Sequence, residues 1–244
     1  MICLGTKVQG QLRRRAIQIL GQTYFKGEWM ESGEDPELSP TVSLIEQPPN
    51  STLVPHFHRQ NQFQLFVGGT GTIGQTSLEP VIVHYAGAYT GYGPLVSGVD
   101  GIKYFTMRPV CESGLLTIAE SREQMIQGPK RHAHTMPIQV ALTEDLLNLA
   151  NVQLDTPMPF SDDGLGVTVV RQPRGTQLGG VTVPNSEGQF LVVLAGTLRY
   201  RDIEVGQWES LFISGDDVFP MLLAGDSGVQ VVSMHVPRKA AAYF

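Results

Sequence analysis

Two histidines on one short stretch are the residues of this sequence best suited to chemistry. His56 and His58 are separated by one residue, and Gln62 follows shortly after them. In an extended strand, side chains two residues apart point to the same face, so the two imidazoles can aim at one point. Gln62 can add a third ligand through its side-chain oxygen, which leaves positions open for water or a substrate. The spacing therefore predicts a metal site.

The same spacing resembles the first motif of the cupin superfamily, in which a His-x-His pair is followed by a Glu and then by a Gly. Here the frame is His56, His58, Gln62 and Gly69. Gln62 stands where the family usually has Glu, so a negative charge is missing from the site. The family's second motif usually supplies one more His, and the corresponding stretch, His84 to Gly98, has none at the expected place.

Two further residues are candidates for the metal shell, and one for the pocket wall. His84 lies on a predicted strand that a barrel would bring near the pair, although an alternating strand can equally turn it outward. Tyr92 stands beside the place of the missing ligand, where it could reach the metal or the substrate, or simply fill the barrel mouth. Phe66 lines the expected substrate pocket if it points inward. The alternative for Gln62 is a structural amide at a strand end.

The remaining histidines are expected to have no part in the metal site. His132 and His134 form a second His-x-His pair, but no strand or glycine turn follows it, which predicts a solvated linker. His235, on the last strand, is expected to face solvent or to cap a barrel end. Lys103 and Tyr104 are neighbours on one strand, so at most one of them lines the cavity.

Composition and charge narrow the class of protein. The chain has 244 residues, enough for one large core or for two cores of about a hundred residues each. Its net charge is −6 and it has no basic stripe, so we exclude a nucleic-acid binder. No apolar run approaches the roughly 20 residues that cross a bilayer, and arginines interrupt the opening segment. We therefore expect no membrane contact, a cytoplasmic protein and two free thiols, Cys3 and Cys111.

Short apolar runs bounded by glycine and proline indicate an all-β chain. One helix is predicted, from Thr143 to Val152. The clearest strands are Gln62 to Val67, Val81 to Tyr85, Ile102 to Met107, Gly166 to Arg171, Phe190 to Leu194, Leu211 to Ser214 and Val229 to His235.

The sequence also contains an internal repeat. A shift of 127 residues aligns identical residues, among them Gln62 with Gln189, Gly69 with Gly196, and Gly101 with Gly228. Apolar strand positions follow the same register, which indicates a duplicated unit. The second copy lacks both histidines, because His56 falls on Val183 and His58 on Asn185.

The resemblance implies an all-β fold of two tandem jelly-roll barrels of the RmlC-like kind, a bicupin, with a short helical segment between or beside them. We expect an N-terminal barrel with a metal site over residues 1–120, a linker over 121–137 and a degenerate barrel over 138–244. It also implies a divalent transition metal (Fe, Mn, Ni, Co or Zn) as cofactor.

The expected function is that of a metal-dependent enzyme acting on a small organic molecule, with dioxygenase-type oxidation or cleavage ahead of isomerisation or hydrolysis. The alternative is a non-catalytic cupin that binds or senses a small molecule, with the metal incidental or absent. The expected partner is this small-molecule ligand. Association into a homodimer through an exposed edge strand is left open.

Overall fold

The computed structural model describes residues 1–31, 40–112, 114–181, 183 and 186–244. The chain folds as two compact units. The N-terminal unit comprises Val8–Ile138 with Lys239–Phe244, and the C-terminal unit comprises Met1–Lys7 with Gln139–Arg238. Residues 121–137, expected as a linker, are therefore part of the N-terminal unit, and each chain terminus folds with the half that is distant in sequence.

The all-β expectation is confirmed, since every predicted strand is present within the described residues. The strands are β1 (Ile2–Gly5), β2 (Arg15–Ile19), β3 (Gln22–Glu31), β4 (Thr41–Gln47), β5 (Thr52–Leu53), β6 (His56–Phe57), β7 (Gln62–Ile73), β8 (Thr76–Leu78), β9 (Ile82–Ala86), β10 (Leu95–Arg108), β11 (Leu116–Thr117), β12 (His132–His134), β13 (Gln153–Met158), β14 (Gly166–Gln172), β15 (Gln177–Leu178), β16 (Ser186–Tyr200), β17 (Ile203–Val205), β18 (Ser210–Ser214) and β19 (Leu222–Pro237).

The helices are short. They are α1 (Lys7–Leu12), α2 (Ile118–Ser121) and α3 (Thr143–Leu147), with 3₁₀ turns at Arg122–Gln124 and Ala241–Tyr243. Helix α3 ends well before the predicted Val152, because Asn148 leaves helical geometry and bonds its N–H back to Glu144. Within the described ranges, no helix combines the length and the apolar character that a bilayer crossing needs.

The N-terminal unit is built on a nine-stranded antiparallel sheet in the order β12-β9-β7-β10-β4-β3-β2, with β5 beside β10 and β8 beside β7. A separate two-stranded sheet pairs β6 with β11. The core contains Tyr24, Leu53, Phe66, Leu95, Ile102 and Tyr104.

The C-terminal unit is built on an eight-stranded antiparallel sheet in the order β1-β18-β16-β19-β14-β13, with β15 beside β19 and β17 beside β16. Its core is mostly aliphatic and includes Leu191, Val193, Leu198, Leu211, Leu222 and Val229.

Two pairs of glycines mark the repeat in the structure. In the central pair of strands of the N-terminal unit, Gly69 has φ +72° and Gly101 also has φ +72°. In the corresponding pair of the C-terminal unit, Gly196 has φ +71° and Gly228 has φ +80°. The strand register shifts at these points, so a bulge carries each strand past the glycine where the sequence predicts an end. Asn185, aligned with His58, lies outside the described residues.

Candidate active site

A cavity of about 620 Å³ opens in the N-terminal unit, large enough for a small organic molecule. Apolar side chains of β2, β4 and β5 form part of its wall. Polar and aromatic side chains line the rest, among them His56, His58, Gln64, Tyr92, Tyr104, Arg108, Glu112 and Glu120.

His56 is held in place by its backbone and by its own ring. Its N–H and carbonyl exchange hydrogen bonds with Tyr92, at 3.1 and 3.0 Å, and this fixes the two residues opposite each other. The ring Nδ1 lies 2.9 Å from the carbonyl oxygen of Val54, which can only accept, so Nδ1 carries the proton. Burial lowers the pKa of His56 to about 4. Nε2 is therefore left with a free lone pair, as a metal ligand requires.

His58 follows β6 directly and its ring lies 5.5 Å from that of His56, centroid to centroid. The two imidazoles thus line one cavity. Burial, with the nearby Arg108 charge, holds the pKa of His58 well below its ordinary value. Nη2 of Arg108 is 3.3 Å from both ring nitrogens of His58, and a carboxylate oxygen of Glu112 is 3.8 Å from its Nδ1.

Tyr92 stands among three imidazoles. Its ring centroid is 4.4 Å from that of His56, 6.3 Å from that of His58 and 5.1 Å from that of His84. Its hydroxyl oxygen accepts a hydrogen bond from Nε2 of Gln62 at 2.8 Å. Burial raises the pKa of Tyr92 far above its ordinary value, so the phenol remains protonated at neutral pH.

His84 and Gln62 are buried but do not lie among the side chains that line the cavity. His84 sits on β9 directly opposite Gln64 of β7, and its Nδ1 donates to the Gln64 side-chain oxygen at 2.9 Å. Burial lowers the pKa of His84 to about 3. The structure thus places His84 behind Tyr92, and its role as a metal ligand stays a prediction.

Phe66 is also buried away from the cavity lining. Its ring packs on Tyr104 at 5.2 Å, and it belongs to the core of the unit. On the neighbouring strand β10, alternation decides which of Lys103 and Tyr104 lines the cavity. Tyr104 points inward, and Lys103 points outward with 58% of its side chain exposed. Tyr104 therefore occupies the wall position that the sequence suggested for Phe66.

The second His-x-His pair is not a linker in the structure. His132 and His134 form β12, the edge strand beside β9, and both side chains are exposed. The ring of His132 lies 6.0 Å from that of His84.

The residue that sequence reasoning missed is Arg108. It closes β10 on the same face as Tyr104 and Thr106 and is only 9% exposed. A signal was present in the sequence, because alternation from a buried Tyr104 puts residue 108 on the inner face. The sequence does not show which face of the strand is buried, however, so the same alternation is compatible with an exposed Arg108.

The donor atoms present fit a divalent transition metal held by neutral ligands. His56 offers Nε2, His58 offers a ring nitrogen, and the Oε1 of Gln62 is buried without a hydrogen-bond partner. Across the described part of the chain, no three His, Cys, Asp or Glu side chains are grouped to hold a metal together. An ion here would therefore depend on a neutral oxygen donor, water or substrate. Arg108 opposes a second cation unless an anion accompanies it.

The matching position of the C-terminal unit holds no comparable cavity in the residues that the structure describes. The space lined by Gln189 and Ser233 measures about 10 Å³, room for one water molecule at most. The expectation that His235 faces solvent is wrong, since it is 1% exposed and its ring packs against Phe160 at 5.0 Å. The interior of this unit is filled by its own side chains.

No protein-family model matches the sequence, and no curated protein matches it. Solved structures do match the fold. A candidate dioxygenase from Nostoc punctiforme has a TM-score of 0.56 and 11% identity, over 99% of this chain and 82% of the other. A bacterial pirin from Escherichia coli, in complex with nickel(II), has a TM-score of 0.54 and 13% identity, over 97% and 99%.

A third match is the Streptomyces albus enzyme HEPD, with its substrate 2-hydroxyethylphosphonate and Fe(II) bound. It has a TM-score of 0.56 and 9% identity, over 98% of this chain and 77% of the other. At such identities the likeness concerns the fold alone. It shows that the chain has the cupin fold, which is built here from two compact β-sheet units.

Proposed function

We propose that the N-terminal unit is a metal-dependent enzyme acting on a small organic molecule, with dioxygenase-type oxidation or cleavage ahead of isomerisation or hydrolysis. One observation carries the proposal. The imidazoles of His56 and His58 line one cavity with their centroids 5.5 Å apart, and the bond from Nδ1 of His56 to Val54 leaves its Nε2 unprotonated.

His56 and His58 would hold the ion, with the amide oxygen of Gln62, which is buried without a hydrogen-bond partner, as the proposed neutral oxygen donor. His84 and Tyr92 are the further candidates for this shell. A bound divalent ion supplies Lewis-acid polarisation of a carbonyl or enolate, a lowered pKa of bound water or, as iron, oxidation by dioxygen. Fold neighbours that carry nickel(II) and Fe(II) support this choice of cofactor class.

Tyr92 is the side chain best placed to handle a proton. Its oxygen already accepts from Gln62, so its own O–H is available for an oxygen atom of the substrate. The raised pKa makes Tyr92 a hydrogen-bond donor rather than a phenolate ligand. We propose that Tyr92 orients and donates to a carbonyl or hydroxyl group of the bound molecule.

The apolar part of the cavity determines which ligands fit away from the polar end. Ile45, Leu53 and Leu115 line it together with the ring of Tyr104. These side chains favour a partly apolar ligand and exclude water from the polar end, where every electrostatic interaction then becomes stronger.

Metal analysis of protein purified without chelators tests the proposal. We expect close to one transition-metal ion per chain, lost in His56→Ala and in His58→Ala. His134→Ala is the matched control, because it removes one member of the exposed pair on β12. Metal-free wild-type protein that takes up no Fe, Mn, Ni, Co or Zn, or equal uptake by His56→Ala, would overturn the assignment.

The alternative, a non-catalytic binding or sensing protein, is favoured by one observation. The described residues bring together no group of three His, Cys, Asp or Glu side chains that could hold a metal, and the Arg108 guanidinium lies against His58. Oxygen consumption by the iron-loaded protein with diketones, catechols and hydroxyketones separates the two functions. Turnover above that of His58→Ala supports an enzyme, and binding without turnover across the panel supports the alternative.

A further inference from the structure

Arg108 is a buried cation whose hydrogen-bonding capacity is largely unused. An arginine has five N–H donors. Nη1 of Arg108 donates to the backbone carbonyl of Glu112 at 3.3 Å, and Nη2 lies 3.3 Å from the ring nitrogens of His58. Both contacts are longer than a normal N–H···O bond. The third nitrogen, Nε, is buried and has no hydrogen-bond partner.

The charge of Arg108 is unpaired as well. Within the described chain no carboxylate forms an ion pair with it, and desolvation lowers its pKa from the ordinary value. Glu112 is the nearest acid, but its carboxylate instead accepts two bonds from the backbone N–H of Arg59, at 2.8 and 3.0 Å. Burying a charge without a partner costs free energy, so such a group is retained where a ligand completes it.

The other charges of the cavity compensate Arg108 only in part. Glu112 and Glu120 line the cavity as well, and the Glu112 carboxylate attracts the guanidinium without forming an ion pair with it. Arg15 and Lys26 both pair with Glu28. The side chains around the guanidinium are the neutral imidazole of His58 and the neutral phenols of Tyr92 and Tyr104, whose pKa values are shifted to favour the neutral form. Arg108 is the one buried charged residue among the described residues that line the cavity, and its unbonded Nε and long contacts leave donors available for an anion.

We propose that Arg108 binds the carboxylate of the substrate, which makes the substrate a small, partly apolar organic carboxylate; this assignment rests on the cavity being the substrate site of the proposed function. A carboxylate has two coplanar oxygens that match one edge of a guanidinium and would replace the long contacts with short, charge-assisted bonds. A phosphate or phosphonate dianion fits less well, because only one buried cation faces the cavity among the described residues. The same anion would balance the charge of a metal held by neutral ligands.

Matched pairs of ligands test the assignment. The probes are benzoate with benzamide, phenylacetate with phenylacetamide, and pyruvate with pyruvamide, titrated by ligand-observed NMR into the full chain as purified and after chelator treatment. We expect at least one carboxylate to bind roughly tenfold or more tightly than its amide. Arg108→Gln should abolish this preference, and Arg108→Lys should keep part of it, because the charge remains without the planar fork.

Arg15→Gln is the control for charge in general, since Arg15 lines the same cavity but is paired with Glu28. It should leave the carboxylate preference unchanged, and near-ultraviolet circular dichroism verifies that each variant is folded. No carboxylate preference in the wild type, equal losses in Arg15→Gln and Arg108→Gln, or tighter binding of phenylphosphonate than of benzoate would overturn the assignment.

The chelator arm separates this inference from the proposed function. A carboxylate preference that depends on Arg108 in a protein without metal affinity leaves the carboxylate site standing and removes the metal-dependent enzyme. The opposite result is also possible to recognise. If His56 and His58 bind metal but the carboxylate preference survives in Arg108→Gln, the metal site stands and Arg108 is not the carboxylate-binding residue.

Discussion

Gln62 donates from Nε2 to the hydroxyl of Tyr92 at 2.8 Å, while its own Oε1 is buried without a hydrogen-bond partner. The amide is thus satisfied at one end only. In this arrangement the amide nitrogen donates and the phenol oxygen accepts, which leaves the Tyr92 O–H and the Gln62 Oε1 free. A cation bound in the cavity of His56 and His58 could be coordinated by this unbonded amide oxygen.

Gln62→Glu should therefore raise the affinity for a divalent metal by roughly tenfold or more, because it adds a negative charge next to the proposed ligands. The Tyr92 hydroxyl can reverse its role and donate to the new carboxylate. A competition titration against a chromophoric chelator measures the change. Gln189→Glu is the matched control at the repeat position of the C-terminal unit, where Gln189 accepts from Ser233. Equal effects of the two substitutions would contradict the prediction.

Arg108→Met should leave the ligand-free protein as stable as the wild type or make it more stable, by up to about 4 kcal/mol. The physical reason is that the substitution removes a desolvated charge with only two long contacts and replaces it with an apolar chain of similar length. Urea unfolding at neutral pH measures the change. Arg14→Met is the comparison, since it removes an exposed arginine paired with Glu46 and should cost no more than about 1 kcal/mol. A loss of several kcal/mol in Arg108→Met would show that Arg108 is structural.

Gly196→Ala should destabilise the C-terminal unit more than Gly175→Ala does. Both glycines have positive φ, +71° and +68°, so both alanines bear the cost of about 1 kcal/mol for a left-handed residue. A Cβ at Gly196 would additionally meet the backbone oxygen of Gly228 at 2.1 Å, whereas nothing lies within 4 Å of one at Gly175. We expect Gly196→Ala to cost at least about 2 kcal/mol more in urea unfolding. Equal losses of unfolding free energy in the two variants would mean that the bulge at Gly196 accommodates a Cβ atom without strain.

The sequence was sufficient to predict the strands, because each depends on local periodicity. The repeat could be found because its two copies keep one register, whereas the metal site at His56 and His58 stays a prediction from their spacing. The paired glycines, Gly69 with Gly101, could be found for the same reason, since a bulge needs a residue that tolerates positive φ. Strand ends were less predictable. Glycine normally ends a strand, and only the tertiary pairing of β7 with β10 carries the strands past it.

Arg108 and His235 could not be placed from the sequence, because the burial of a polar residue near a strand end depends on which face turns inward. Tyr104 settles that face for β10 only once the sheet is known. The assignment of the N-terminal strand β1 to the C-terminal unit could not be predicted either, since β1 pairs with β18 through backbone hydrogen bonds that any short apolar segment can make.

His235 makes the stability of the C-terminal unit depend on pH. Its Nε2 lies 3.2 Å from the hydroxyl of Ser233, which already donates its proton to Gln189, so Nε2 of His235 carries a proton and donates to the Ser233 oxygen. Desolvation lowers the pKa of His235 to about 4. Unfolded, the same residue titrates near 6.5. Between these values the unfolded chain binds a proton that the folded chain does not, so stability falls as the pH drops from about 6.5 to about 4.

The substitution His235→Gln removes this proton and keeps a hydrogen-bonding side chain of similar reach. Linkage predicts that the wild type loses about 2 kcal/mol more than His235→Gln between pH 8 and pH 5, whatever constant difference separates the two proteins at pH 8. Urea unfolding across this pH range, monitored by fluorescence, measures the difference, and the unaltered histidines of the N-terminal unit cancel in the comparison. Parallel pH profiles for the two proteins would show that His235 is protonated to the same extent in the folded and unfolded states, and hence that its burial does not suppress its charge.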